Sequence, residues 1–109
     1  MRRDTGLPPG TLDMLILRVL LAAPQHGYAI AQRIHDLSET ELTVEEGSLY
    51  PALQRMLVKG WLQGEWGKTA ENRRARYYQV TAEGRQRLDQ ELERYDRVAR
   101  AIARILAPA

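Results

Sequence analysis

The sequence of 109 residues predicts a mainly α-helical fold with a small β-hairpin. Apolar residues recur at three- and four-residue steps in three short segments, which is typical of amphipathic helices. Two short β-prone runs then flank a polar, basic stretch, as in a hairpin. A last segment carries apolar residues at heptad spacing, which indicates a long helix with a partner. The order α-α-α-β-β-α is the outline of a winged helix-turn-helix domain followed by a long C-terminal dimerisation helix.

The domain limits follow from these segments. Residues 1–10 are polar and contain glycines and prolines, so they are expected to form a flexible arm. Residues 11–80 are expected to form the winged helix-turn-helix domain, and residues 81–109 the C-terminal dimerisation helix.

Each of the three short helices has an expected buried stripe. The first helix is expected to end near Ala23, the second to cover Tyr28–Ser38 and the third to cover about Glu45–Lys59. Pro51 falls in the first two turns of the third helix, where its missing N–H group costs little. The expected buried residues are Leu12, Leu15, Ile16, Val19 and Leu20, then Ile30, Ile34 and Leu37, then Leu49, Leu53, Met56 and Leu57.

The hairpin is expected to join Trp61–Trp66 to Arg76–Val80 through a long polar tip, and Thr81 suits the N-cap of the last helix. Four cations on or beside the tip oppose only Glu71, and they are Lys68, Arg73, Arg74 and Arg76. A protruding loop with this charge can lie along the phosphate backbone of DNA or place an arginine in the minor groove. The alternative is an ordinary solvated turn.

The third helix is the candidate DNA reader, because helix-turn-helix proteins lay the start of their second motif helix in the major groove. Exposed positions near its start are expected at Glu45, Glu46, Ser48, Tyr50, Ala52, Gln54 and Arg55. Ser48 and Tyr50 offer hydroxyl groups to phosphates or base edges. Gln54 can pair with adenine, and Arg55 with guanine or phosphate. Alternatively, the glutamates only complement the helix dipole and Tyr50 packs on the hairpin.

The last helix carries a predicted dimer interface. Its apolar seam has the spacing 4-3-4-3-4 and consists of Leu88, Leu92, Tyr95, Ala99, Ile102 and Leu106. A long helix that is polar outside this stripe needs a partner surface, and a small domain has little spare core to offer. A second copy of the chain is therefore the expected partner. Alternatively, the stripe packs only on the first helix of its own chain, and the two arrangements are compatible.

Composition narrows the function. The net charge is only +2, but arginine supplies 14 of the 16 cations, and its planar guanidinium suits phosphates and guanine edges. The chain has no cysteine, no recognisable signal peptide and no apolar stretch long enough to span a bilayer, so a soluble cytoplasmic protein is expected. The only histidines are His26, expected at a helix start, and His35. Without a zinc set, nucleophile elbow or phosphate loop, no enzyme activity, metal or cofactor is expected.

Five stretches together resemble the PadR family of bacterial transcriptional regulators, over roughly residues 7–106. They are Leu12–Leu17, Pro24–Ile30, Glu46–Leu53, Gly60–Leu62 and Arg73–Arg85. The resemblance implies a homodimer, built through the last and first helices, that represses transcription from inverted-repeat operators. It also implies that the recognition helix carries Ser48, Leu49, Tyr50 and Pro51, and that the wing carries Lys68, Arg73, Arg74 and Arg76.

The resemblance further singles out Tyr95. The segment Tyr95–Val98 looks like the one that, in a multidrug-binding member, places a tryptophan from each subunit in a cavity at the dimer interface. A tyrosine there can stack on a small aromatic or drug-like effector, or simply pack at a heptad position. The longer members carry a further C-terminal helical domain, so this chain is expected to dimerise on one long helix. The functional alternatives are a winged-helix protein–protein adaptor and a ligand-binding protein whose DNA role is vestigial.

Overall fold

A computed structural model of the chain describes residue Leu7 and residues 10–108. The flexible arm predicted for residues 1–10 therefore lies almost wholly outside the described residues. The observed elements are α1 (Thr11–Leu20), β1 (Gln25–His26), α2 (Gly27–Leu37), α3 (Glu46–Val58), β2 (Leu62–Lys68), β3 (Arg74–Val80) and α4 (Ala82–Leu106). The predicted class is confirmed: the described chain is mostly helical, with an antiparallel hairpin and a long last helix.

Helix α1 ends at Leu20, three residues before the predicted end at Ala23. The side chain of Gln25 explains the early end, because its amide Nε2 donates to the carbonyl oxygens of Val19 (3.0 Å) and Ala23 (3.2 Å). A polar side chain thus satisfies a carbonyl that has no partner within the helix, and the chain can turn sharply into β1.

Strand β1 was missed by the sequence analysis, which placed a simple break at this point. Its two residues pair antiparallel with β3, and the sheet has the order β1-β3-β2. His26 also begins α2: its Nδ1 accepts from the backbone N–H of Ala29 at 3.2 Å, and its ring meets the edge of Tyr77 at 5.4 Å. The prediction that His26 is a helix-start residue is confirmed.

The hairpin tip is shorter than predicted. Lys68 and Arg74 pair across β2 and β3, so only residues 69–73 form the turn. Thr69 closes it twice, because its backbone N–H donates to the carbonyl of Arg73 at 2.8 Å and its Oγ1 accepts from the Arg73 N–H at 3.2 Å. Two of the predicted tip cations are therefore held in a regular ladder rather than in a loose loop.

The core lies between α1, α2, α3, the sheet and the start of α4. Its fully buried side chains include Ile16, Leu17, Ile30, Leu49, Leu53, Met56 and Leu88. Two predictions of exposure were wrong. Ala52, which was predicted to be exposed, is buried against the core. Leu37, which was predicted to be buried, is 61% exposed because the chain leaves the helix through Glu39 and Thr40, which have positive φ angles.

The start of helix α4 is anchored to the domain. Thr81 caps it as predicted, with Oγ1 accepting from the Gly84 N–H at 3.0 Å. Leu88 is 2% exposed within its own chain, and the predicted seam residue Ala99 is half-buried. The exposed large apolar residues of α4 are Leu92, Tyr95, Val98, Ile102, Ile105 and Leu106. Leu88, which the sequence places in the predicted dimer seam, is thus already covered by the core of its own domain. Among the described residues, the exposed apolar face begins at Leu92.

Candidate nucleic-acid interface

Helix α3 presents a continuous outer face. Its inner side is fixed in the core by Leu49, Ala52, Leu53 and Met56. The five predicted DNA-contacting residues all lie on the exposed remainder, namely Ser48, Tyr50, Pro51, Gln54 and Arg55. This arrangement leaves hydroxyl, amide and guanidinium groups available along one side of a rigid helix.

Tyr50 lies across the start of α2 rather than extending freely into solvent. An ideal Cβ built on Gly27 would be only 2.6 Å from the Tyr50 hydroxyl oxygen and 2.8 Å from two of its ring carbons. Only a residue without a side chain therefore allows this close packing. The ring still keeps 44% of its surface exposed, so it can contact a further molecule.

The wing formed by β2 and β3 has two chemically different faces. Directly paired residues share a face and alternate along each strand. Trp66 pairs with Arg76, and Lys68 with Arg74, so these four residues form one row. We call this row the cationic row. The next residue of the same row on β3 is Tyr78, which is buried, so the row faces the helical body.

The opposite face of the wing makes it rigid. The Tyr77 hydroxyl donates to the carbonyl oxygen of Lys68 at 2.9 Å, and the Tyr77 ring lies over Gly67. These contacts fix the end of β2 against β3. The cationic row is therefore displayed on a braced hairpin rather than on a flexible loop.

A cavity of about 770 Å³ separates the wing from the helices. Tyr50 of α3 and the start of α2 form one side, and Arg73, Arg74 and Arg76 form the other. The structure thus brings together one predicted residue of the recognition helix and three of the four predicted wing cations. Lys68 is not among the residues that line the cavity; it lies at the end of β2, paired with Arg74.

The floor of this cavity includes Tyr78. Burial raises the pKa of the Tyr78 phenol above its usual value; the nearby Arg76 charge partly opposes this effect, and Tyr50 adds to it. The phenol is therefore neutral at physiological pH, and the charged side chains that line the cavity are the three arginines and Glu71.

Arg55 is not free to act as an isolated DNA contact. Its Nη2 lies 2.6 Å from Oδ1 of Asp13 on α1, in an ion pair that spans the two helices. The guanidinium remains partly exposed, so it can still approach DNA, but it also ties α3 to α1. Sequence reasoning missed this partner because the two residues are 42 positions apart.

The distal half of α4 carries a large exposed apolar face. It comprises Leu92, Tyr95, Val98, Ile102, Ile105 and Leu106. Beside it lies a groove of about 470 Å³ between α4 and the start of α1, lined by Thr11, Met14, Tyr95 and Ile102 among others. Val98 and Ile105 were missed, although they lie three residues from Tyr95 and Ile102 and the same helical spacing could have found them.

Comparison with known proteins gives the family. The model of the PadR-like family of transcriptional regulators matches residues 16–90, which is more than half of the chain and includes α3 and the whole wing. The chain belongs to the PadR family. It is therefore a DNA-binding transcriptional regulator.

Solved structures of PadR-family and related regulators have the same fold. A transcriptional regulator from Clostridium thermocellum superposes with a TM-score of 0.82 at 26% identity, covering 90% of this chain and 95% of that one. A PadR family regulator from Eggerthella lenta gives 0.78 at 28% identity, with 92% and 85% covered. One from Clostridium difficile gives 0.77 at 27% identity, with 90% and 100% covered.

Two further observations concern other kinds of site. In the described part of this PadR-family chain, no helix combines the length and the apolar character needed to cross a membrane. Nor do the described residues include a group of three or more histidine or carboxylate side chains placed to hold a metal ion. His35 instead contacts the carbonyl oxygen of Leu42 through Nδ1 at 3.1 Å.

Proposed function

We propose that this PadR-family regulator is a homodimeric repressor that binds an inverted-repeat operator. Each α3 lies in the major groove, and each wing holds the adjacent phosphate backbone. One observation carries the proposal: Tyr50 of α3 and the arginines of the wing line one cavity, and Ser48 and Gln54 are exposed on the same helix. This arrangement supports a role in which α3 supplies base-reading groups and the wing supplies phosphate-binding groups, as sequence-specific binding requires.

The exposed apolar face of α4 supports pairing with a second copy. Its residues from Leu92 to Leu106 remain accessible in the single chain, and such a large apolar face on one helix marks an interaction site. Pairing of two α4 helices sets the two α3 helices about one DNA turn, or ~34 Å, apart. An inverted repeat then matches the two-fold symmetry of the dimer.

A small aromatic effector is the second element of the proposal. Tyr95 is 56% exposed and lines the groove between α1 and α4, where a flat ligand can stack on its ring. A ligand bound there changes the packing of α4 and, with it, the spacing of the two recognition helices. The repressor then releases its operator.

The test is fluorescence anisotropy with labelled duplex DNA from upstream of the chain's own gene, beside a scrambled duplex, at two salt concentrations. We expect tight binding that favours the upstream duplex and survives moderate salt. Equal and salt-sensitive binding to both duplexes would instead support the protein–protein adaptor alternative.

The same assay tests the wing. The variant Arg73→Ala with Arg74→Ala removes two cations from each wing, or four from the proposed dimer, so the slope of log affinity against log salt should fall by about 4. Arg18→Ala is the matched control, because Arg18 is an exposed cation on α1, outside α3 and the wing. An unchanged slope in the double variant would refute the wing contact.

A further inference from the structure

Strand β2 carries two uncharged residues that act on the wing arginines of β3. We propose that Gly64 and Trp66 are positioning residues, which hold the guanidinium groups of Arg76 and Arg74 over β2 in a fixed direction for the contact with DNA. The inference rests on the proposed contact between the wing and DNA. It adds the residues that decide the direction of that contact.

The side chain of Arg76 lies flat on β2 at Gly64. An ideal Cβ on Gly64 would be 2.5 Å from Nε of Arg76 and 3.2 Å from both Cζ and Nη2. Any larger residue would therefore displace the guanidinium. The φ angle of Gly64 is not in the left-handed region, so the backbone itself does not require glycine here. The need for glycine comes from Arg76.

The buried Nε of Arg76 confirms how closely the stem is packed. It has almost no exposed surface and no hydrogen-bond partner among the described residues. An inward Nε leaves the terminal Nη groups as the donors available to a phosphate. Arg76 is thereby held as an end-on donor with a fixed direction.

Arg74 is held in the same way by Trp66. Its Cζ lies 4.5 Å from the centre of the Trp66 ring, in a cation–π contact. The tryptophan is 57% exposed, so its ring remains accessible beside the guanidinium. Trp66 pairs with Arg76, and not with Arg74, so Arg74 reaches it diagonally across the hairpin.

The two arginines lean in the same direction. Arg74 pairs with Lys68 but contacts Trp66, and Arg76 pairs with Trp66 but contacts Gly64. Each side chain is displaced by one step away from the hairpin tip and toward the helical body. Both guanidinium groups therefore lie over β2, while Arg74 and Arg76 are also among the residues that line the cavity with Tyr50.

This arrangement stabilises the arginines in a direction suited to binding before DNA arrives. A long side chain that is already ordered loses less conformational freedom on binding. Gly64 and Trp66 therefore contribute to DNA affinity although neither carries a charge. Because the contacts depend on a planar guanidinium, lysine at position 74 or 76 does not replace arginine.

A double-mutant cycle tests the role of Trp66. Trp66→Leu should weaken binding of the upstream duplex by about two- to fivefold for each of the two wings of the proposed dimer, which corresponds to one exposed cation–π contact per wing. In the Arg74→Ala background the same substitution should have no effect, because its partner is gone. Trp66→Phe should retain part of the affinity, and Gln63→Ala, on the opposite face of β2, should retain all of it.

A second cycle tests Gly64. Gly64→Ala should weaken DNA binding and lower the midpoint of urea unfolding, since the new methyl group displaces Arg76. Gly64→Ala combined with Arg76→Ala should unfold at the same midpoint as Arg76→Ala alone. This readout remains decisive even where the single variant folds poorly.

The outcomes separate this inference from the proposed function. If Arg74→Ala and Arg76→Ala leave affinity and salt slope unchanged, the wing contact with DNA itself is wrong. If those two variants lose affinity but the substitutions at Trp66 and Gly64 do not, only the positioning role is wrong. An equal loss for Trp66→Leu with and without Arg74 would also overturn it, because Trp66 would then act independently.

Discussion

Gly84 lies where α4 packs closely against the start of β2, and Gly84→Ala should destabilise the fold. An ideal Cβ there would overlap the carbonyl oxygen of Trp61 and would lie 2.9 Å from its carbonyl carbon and 3.0 Å from Cγ1 of Val80. The clashing atoms of Trp61 belong to the backbone, so they cannot move aside as a flexible side chain can. The substitution must therefore push α4 away from the start of β2.

Two opposing effects set the magnitude. Alanine in a helix is favoured over glycine by about 0.5–1 kcal/mol. Overpacking a tight contact costs about 1–3 kcal/mol. The displacement also strains the hydrogen bonds by which the Thr81 N–H and Oγ1 donate to the carbonyls of Trp61 (3.0 Å) and Gly60 (2.6 Å), each contributing about 0.5–1.5 kcal/mol. The cost of the clash exceeds the helix preference of alanine, so we expect a net loss of about 1–3 kcal/mol in the free energy of unfolding.

The assay is urea unfolding followed by circular dichroism, at one fixed protein concentration because the stability of the proposed dimer would depend on it. Gly47→Ala is the matched control. Gly47 also lies in the first turn of a helix, but its Cβ position has no heavy atom within 4 Å. The same substitution should therefore be neutral or stabilising there, by up to about 1 kcal/mol.

The two substitutions are expected to change the free energy of unfolding in opposite directions, so the comparison distinguishes the contact from a general effect of alanine. If Gly84→Ala unfolds at or above the urea concentration of the wild type, the close contact between α4 and Trp61 is wrong. If both variants lose the same stability, the loss reflects alanine at these positions in general rather than the contact.

Three further predictions concern other parts of the chain. Leu92→Glu with Ile102→Glu should give monomers with lost operator affinity; a sedimentation mass that stays dimeric would contradict the α4 interface. Asp13→Asn and Arg55→Ala should each cost about 0.5–1 kcal/mol of unfolding free energy, and the double variant no more than either; additive losses would mean that the pair contributes nothing. Because burial raises the pKa of Tyr78, the unfolded state ionises first, so stability is fully present below about pH 10 and falls as pH rises through the folded-state pKa. Tyr78→Phe should show a smaller fall in urea midpoint between pH 9 and 11, and an identical fall would refute this role.

Sequence patterns predicted those elements that depend on interactions between residues close together in the sequence. The hydroxyl of Thr81 caps α4 through a residue three positions away, and the stripe of α3 follows helical spacing. Strand β1 could not be found in this way, because two residues carry no periodicity and their extended form depends on pairing with β3. The exposure of Leu37 likewise depends on where the chain turns away from the core at Glu39.

Prediction of the candidate site from the sequence was limited in the same way, to properties that do not depend on the fold. Charge and spacing were sufficient to name the wing cations, since these are properties of the residues themselves. Their direction was not predictable, because it depends on the register that puts Trp66 beside Arg74 and leaves Gly64 under Arg76. The seam on α4 was predicted from its heptad spacing, but spacing cannot tell that the domain core covers Leu88 and leaves Leu92 exposed.

The anchored start of α4 and its exposed remainder connect the DNA-binding domain of the proposed repressor to its dimer interface. Its first two turns are fixed to the domain by Gly84 and Leu88, so the direction of the whole rigid helix is set there. In the proposed dimer, a small change of angle at this anchor is enlarged along a helix of 25 residues before it reaches the partner. The groove beside Tyr95 is also bounded by the start of α1, where Asp13 binds Arg55 of α3. An occupant of the groove therefore has two physical connections to the recognition helix, one through the anchor of α4 and one through this ion pair.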